Sequence, residues 1–290
     1  MPMGAVILQL LLEGLILGFI YVALSIGLTL IYGVLRILHI AHAGIYALGA
    51  FFALTFHYFF NIWISIILAA LLAALIGILI ERFAYLPILD KPPYVPLVIS
   101  IALYILISEL SANIWGQYPK GFYTEIPSIR YDLFGISVTT YQLLVLAIIA
   151  PLILILWLII NKTKIGLASR ALTQDIEVAQ IMGISPKKVI DFNFFIGSAL
   201  AGVCGALVGI YYAQVYPYMG DIAAYKALVV LVLGGLGSVI GALVGGLILG
   251  ISETFLIAYF GYLLPREAFA FIIMILLLLF RPKGLFGRGM

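Results

Sequence analysis

Continuous apolar runs of 18 residues or more recur along this chain, for example Ile62-Trp63-Ile64-Ser65-Ile66-Ile67-Leu68 onward through Ile80. Each such run is long enough, as a helix, to cross a hydrocarbon core of about 30 Å. In lipid every backbone N–H and C=O must find a partner inside the protein, so spanning segments are either helices or strands of a closed barrel. A barrel needs apolar and polar residues to alternate, and these runs do not alternate. The sequence therefore predicts an all-α fold, a polytopic transmembrane helix bundle. Composition agrees: 65% of the 290 residues are hydrophobic and 9% are charged, against about 25% charged in soluble domains.

Spanning segments are expected at about 6–33, 43–60, 62–80, 94–115, 138–160, 190–213, 226–258 (interrupted) and 266–280. Pro87, Pro92, Pro93, Pro96, Pro119, Gly121, Pro127, Pro217, Gly220 and Pro265 fall in the expected connections. The longest polar stretches, 116–137 and 161–191, are too short to build a second core. The expectation is one transmembrane domain over 1–290, carrying a cytoplasmic loop at 161–190 and no ATPase, receptor or catalytic domain. The first apolar stretch runs past residue 30, too long for the core of a cleaved signal peptide. Cys204 is the single cysteine, which rules out an intrachain disulfide or a cysteine-based metal site.

Lys162, Lys164, Arg170, Lys187 and Lys188 in the 161–191 loop, with Arg281, Lys283 and Arg288 in the tail, make up eight of the fifteen basic residues. Both places are expected to face the cytoplasm. Basic residues gathered at membrane boundaries meet lipid headgroups, so the net charge of +3 is no sign of nucleic-acid binding. Counting back from the loop leaves 116–137 outside, and the N-terminus outside if residues 6–33 cross once.

Two places break the apolar pattern within the membrane. One is the stretch from Gly33 to Gly44, with Arg36, His39 and His42. The other runs from Leu233 to Gly241 and holds Gly234, Gly235, Gly237 and Ser238. Broken helices at membrane depth are tolerated where protein or a water-filled cavity satisfies the freed backbone. A pair of them in matching halves marks a transport pathway at a repeat interface, and a weak internal repeat relating the two is expected here. Three glycines in four positions predict a true break at 234–238. Gly241, Gly245 and Gly250 read as a close helix-packing face instead.

His39 and His42 share a face if their segment is helical. With His57 as the only other histidine and no cysteine cluster, they are read as pore-lining or pore-flanking polar residues rather than metal ligands. Glu109 and Glu253 can pair with Lys226 or Arg36, or lie near an interface. No cofactor is expected.

Within the 161–190 loop a helix is expected from about Ala168 to Met182. Leu172, Ile176, Ala179 and Met182 form its apolar stripe, Gly183 ends it, and Ser185-Pro186 starts the next. Its other face mixes Arg170, Gln174, Glu177 and Gln180, unlike a lysine-rich membrane-surface helix, which favours a protein partner.

Glu177-Val178-Ala179 followed by Gly183 resembles the Glu-Ala-Ala-x-x-x-Gly coupling loop of ABC importer permeases, with Val178 in place of the middle Ala. The surrounding Arg170-Ala171, Gln174-Asp175 and Met182-Gly183-Ile184 resemble its version in branched-chain amino-acid permeases. So do Gly27–Val34, Leu233–Ala242 and Phe280-Arg281-Pro282-Lys283-Gly284-Leu285-Phe286-Gly287. The match is collinear over nearly the whole chain and is most similar to the smaller permease type of leucine/isoleucine/valine importers. The resemblance implies a prokaryotic cytoplasmic-membrane subunit, without catalytic residues, that moves branched-chain amino acids inward by alternating access. Its implied partners are a second paralogous permease, two ATP-binding cassette subunits and an extracytoplasmic substrate-binding protein. It assigns Arg170, Asp175, Glu177, Ala179 and Gly183 to ATPase coupling, beside a pathway at His39, His42, Gly234, Gly235, Gly237 and Ser238. One departure stands out: the family's usual Asn-Phe-Ala-His-Gly is His39-Ile40-Ala41-His42-Ala43 here. The exact substrate is left open by it, because relatives of this architecture carry urea, short amides and other small polar solutes. An ion-coupled secondary carrier, with Glu109 or Glu253 as its carboxylate, is the competing class.

Overall fold

The computed structural model describes residues 3–133 and 135–286. Gly287 and Arg288, counted above in the C-terminal motif and the basic tail, lie outside the described residues. Eleven α-helices are present among the described residues: α1 Met3–Leu35, α2 Ala41–His57, α3 Ile62–Ile80, α4 Tyr94–Trp115, α5 Thr140–Lys162, α6 Lys164–Gln174, α7 Ile176–Ile181, α8 Pro186–Tyr211, α9 Gly220–Gly234, α10 Val239–Phe260 and α11 Arg266–Phe280. Seven helical segments in the described residues are long and apolar enough to span a membrane; α2 and α11 are shorter.

Polar caps start several helices where the apolar runs begin. Asn61 Oδ1 accepts from Ile64 N at 3.0 Å, and Thr139 with Gln142 closes a reciprocal capping box at the head of α5. The 116–139 connection is more ordered than a bare polar loop. It holds a hairpin, β2 Arg130–Leu133 and β3 Ile136–Thr139, with Arg130 opposite Thr139. The short β1 Lys120–Gly121 pairs with β4 Gln214–Val215.

Layering follows side-chain size. In α1 and α8, 83% and 78% of the most apolar window is buried, against 33% in α4 and α5, so α1 and α8 are the centre. Both central helices carry glycines where backbones meet. A methyl group on Gly205 of α8 would collide with the carbonyl oxygen of Tyr46 in α2, and one on Gly250 of α10 with the backbone of Gly18 in α1. The packing role expected for Gly250 is what this contact describes, and Gly241 packs in the same way against the backbone of Gly234. Close backbone approach is a favourable way to hold helices together where lipid supplies no hydrophobic drive.

Three expectations change. The segment expected at 226–258 is interrupted as expected, giving α9 and α10, but it begins at Gly220 rather than 226. Gly220 is its first residue and Pro217 opens a short 3₁₀ turn before it. Lys226, the first residue of the expected segment, lies inside α9 with its ammonium on Glu253 of α10, one of the pairings the sequence left open. The helix expected over 168–182 is likewise two. Thr163 caps α6 through Gly166 N at 3.2 Å, and Asp175 leaves helical geometry to cap α7 through Val178 N at 3.0 Å. The expected apolar stripe divides with it: Leu172 and Ala179 are buried, whereas Ile176 and Met182 are exposed.

Candidate functional site

Both intramembrane breaks are present. After α1, Arg36 takes a left-handed φ of 54°, a costly conformation for a residue with a Cβ, and residues 36–40 run without helix to the head of α2. His39 is therefore in the break while His42 is in the first turn of α2; they do not share a helix face, yet they meet. Their ring centroids are 5.8 Å apart, both side chains are buried, and both line a cavity of about 190 Å³ bounded by α1 and α9. His39 Nδ1 lies 2.7 Å from the Tyr85 hydroxyl and His42 Nε2 3.2 Å from the Leu24 carbonyl. His39 Nε2 and His42 Nδ1 have no hydrogen-bond partner among the described residues. Buried polar atoms are normally satisfied, and these two unpartnered nitrogens belong to residues that line one cavity.

Tyr85 ends a π-helical turn, Glu81–Tyr85, that extends α3. Such turns are rare and occur frequently at functional sites. At its other end Arg82 Nη2 bonds Asp191 Oδ2 of α8 at 3.0 Å, and Glu81 is buried beside the same carboxylate. Nothing in the apolar pattern of α3 announced this turn; the charges at Glu81 and Arg82 were its one trace.

The second break, 235–238, is built by glycine. Gly235 and Gly237 have φ of 97° and 82°, a region open mainly to glycine. Ser238 then caps α10 through Gly241 N at 3.0 Å. Gly234 closes against Gly241, so it serves packing as well as the break.

The two breaks converge. A methyl group on Gly33, near the end of α1, would lie 3.9 Å from Gly237 Cα and 3.3 Å from Thr173 Cγ2 of α6. The tail after α11 reaches the same place, where Leu285 N and Phe286 N donate to the carbonyls of Leu233 and Gly234 at 2.8 and 3.0 Å. These are end-of-helix acceptors left open by the break. Donation from main-chain groups leaves no side-chain signature, and for that reason the sequence did not reveal the clasp.

The 163–183 loop is fastened on one side and free on the other. Asn193 Nδ2 of α8 bonds Ser169 Oγ at 3.2 Å, and Arg170 Nη1 bonds Asn161 Oδ1 at 3.0 Å. Ala179 is buried, and its carbonyl accepts from Ile184 N at 3.0 Å. Gly183, at φ 83°, donates to Gln180 O at 2.9 Å, which completes a Schellman stop. Glu177 is exposed, as are Ile176, Val178, Ile181 and Met182, the last two at 85% and 78%. Asp175 is the joint between the two short helices.

Lys226, Glu253 and Glu109 each find a partner. Lys226 of α9 forms a fully buried ion pair with Glu253 of α10, and the Tyr21 hydroxyl lies 3.2 Å from the same carboxylate. Glu109 accepts from the Tyr218 hydroxyl at 2.9 Å.

Apolar helices around two facing breaks, with ionisable groups held inside the bundle, define a multi-pass membrane protein of the permease class. The family model described as branched-chain amino acid transport system / permease component matches residues 10–280. The chain belongs to that family. It is 33% identical to the high-affinity branched-chain amino acid transport system permease protein BraD of Pseudomonas aeruginosa, with 97% of this chain and 96% of that one covered. It is 32% identical to the high-affinity branched-chain amino acid transport system permease protein LivH of Escherichia coli, over the same shares. Among solved structures it resembles PsaBC from Streptococcus pneumoniae, with a TM-score of 0.52 at 14% identity, covering 94% of this chain and 89% of that one. The last is a likeness of fold alone.

Proposed function

We propose that this chain is one membrane-spanning subunit of an ATP-driven importer that carries branched-chain amino acids inward by alternating access. The bundle of 1–290 acts as a single transmembrane unit in a prokaryotic cytoplasmic membrane, with the 161–190 loop and the C-terminus in the cytoplasm and the N-terminus outside. A second, paralogous permease completes the pathway. Two ATP-binding cassette subunits hydrolyse ATP beneath it, and a substrate-binding protein delivers the amino acid from outside. The names of the family and of BraD and LivH support the substrate class, and the basic loop and tail support the orientation.

One observation carries the mechanical reading: a methyl group on Gly33, near the end of α1, would lie within van der Waals reach of Thr173 of the loop and of Gly237 of the second break. A ligand can shift a gate only through contacts that differ between its two states. In this arrangement α7 presents Glu177 and its exposed apolar residues to an ATPase groove. The joint at Asp175 passes the movement to α6, and Thr173 bears on the end of α1 at Gly33, which faces Gly237 of the second break. Arg170 and Gly183 fix the ends of that lever, and Ala179 seats α7 against the bundle. The breaks then reshape the path past His39 and His42, with Gly234, Gly235, Gly237 and Ser238 supplying the hinge.

Reconstitution of the complete importer in proteoliposomes tests this. Glu177→Lys and Gly183→Pro should leave assembly and ATP hydrolysis in place while the number of leucine molecules imported per ATP collapses. Unchanged coupled uptake in both variants would refute the docking role. Uptake driven by an ion gradient without the ATPase subunits would refute the class.

A further inference from the structure

The exposed side of α4 carries Glu109 and Asn113 among apolar residues such as Leu106. The head of α9 lies beside it: a methyl group on Gly220 would collide with the carbonyl oxygen of Ala43 and touch the Tyr104 ring. The Tyr104 hydroxyl donates to Asp221 Oδ1, and the Tyr218 hydroxyl donates to Glu109 Oε1 at 2.9 Å. Asp221, like Glu109, is exposed. Neither carboxylate has a cationic partner among the described residues.

Depth makes these charges informative. Tyr104 stands midway along the 22 residues of α4, which places it about 15 Å from either end. Asp221, bonded to it, is therefore deep in the span, and Glu109 is about 9 Å from the Trp115 end. An aspartate lacks the long stem by which a lysine or arginine reaches the interface. An ionised group at such depth faces protein or water, not lipid tails. On α3, by contrast, every exposed side chain from Trp63 to Leu79 is hydrophobic, as a lipid-facing surface requires.

We propose that the face of α4 and α9 around Glu109 and Asp221 is the contact surface for the second permease, and that the partner meets it with a basic side chain. This rests on the importer reading above and adds the place and the chemistry of the subunit contact. Charge complementarity selects the occupant. Each carboxylate accepts one tyrosine hydroxyl and has acceptor capacity left over, which a Lys or Arg of a neighbouring span fills. A second copy of this chain does not fit, since a two-fold contact centred on this face sets carboxylate against carboxylate. Like charges brought together disfavour that pairing by several kcal/mol. The face therefore selects a different chain, a paralogue rather than a copy.

The test uses the assembled importer in its membrane. A photo-reactive benzoylphenylalanine replaces Leu106, one turn from Glu109 on the exposed side of α4, or Leu71 on α3 as the control. Irradiation should join position 106, and not position 71, to the second permease, identified by mass spectrometry. Any other result at 106, whether lipid, another copy of this chain or no adduct, or equal joining from 71, would overturn the assignment. The charge is tested by Asp221→Asn with Glu109→Gln, which keep a carbonyl acceptor for each tyrosine. Recovery of this chain through a tag on the second permease should fall at least about tenfold, as when one side of a desolvated charge pair is removed. A smaller loss would overturn the basic partner. If the unmodified chain is recovered with neither a second permease nor an ATPase subunit, the importer reading itself fails. If that complex forms and the adducts fall elsewhere, the surface alone fails.

Discussion

The six residues of α7 form a helix well below the length at which one is stable alone, so its two ends decide whether it exists. At the front, Asp175 Oδ1 accepts from Val178 N at 3.0 Å. Replacing such a cap by Ala costs about 1 kcal/mol, which lowers the ratio of formed to frayed helix about fivefold. At the back, Gly183 stands at φ 83°, and Ala there adds about 1–2 kcal/mol. Together Asp175→Ala and Gly183→Ala should shift the ratio by about 30- to 150-fold. Asn caps as well as Asp, so Asp175→Asn serves as the control and should behave like the parent. Hydrogen exchange at the amides of 178–181 in the assembled importer reads the helix, and leucine imported per ATP reads the coupling. The double variant should exchange faster and transport less per ATP, with Asp175→Ala between it and the parent. If exchange at 178–181 in the double variant equals that of the parent, or if coupling is intact while the helix is frayed, the reasoning is wrong.

Gly237→Ala places a Cβ at φ 82°, at a cost of about 1–2 kcal/mol; leucine uptake should fall several-fold while complex assembly, read by co-purification of the subunits, is unchanged. Removing residues 285–290 takes two donors from the carbonyls of Leu233 and Gly234, each bond worth about 1 kcal/mol; a thermal-stability scan in detergent should show a lower midpoint. Tyr85→Phe removes the 2.7 Å contact to His39 Nδ1 and leaves that buried nitrogen unsatisfied, a loss of about 1–3 kcal/mol. It should lower both thermal stability and uptake, and an unchanged midpoint would show the contact to be dispensable.

The reach of the sequence depended on what kind of group carried each feature. Apolar runs placed the helices, because length and hydrophobicity are what a membrane selects. Gly235 and Gly237 placed the second break, because positive φ needs glycine. The first break was visible through its polar residues, but its backbone turn falls on Arg36, where side-chain type gives no warning. The expected segment began at Lys226, which is interior to α9; its pairing with Glu253, 27 positions away, was one of those the sequence left open, since pairing across helices has no local signal to choose among them. Asp175 was legible and underread, since an aspartate in a helical pattern with free amides three residues on is a cap as readily as a surface charge. Contact between Thr173, Gly33 and Gly237 depends on tertiary placement alone.

The tail clasp has a practical corollary for handling the protein. Since Leu285 and Phe286 are stitched onto the α9 terminus by their own amides, an affinity tag or fluorescent fusion placed directly after Phe286 would load that terminus. Labels belong at the opposite terminus, and assays made with a carboxy-terminal fusion would report on a restrained machine.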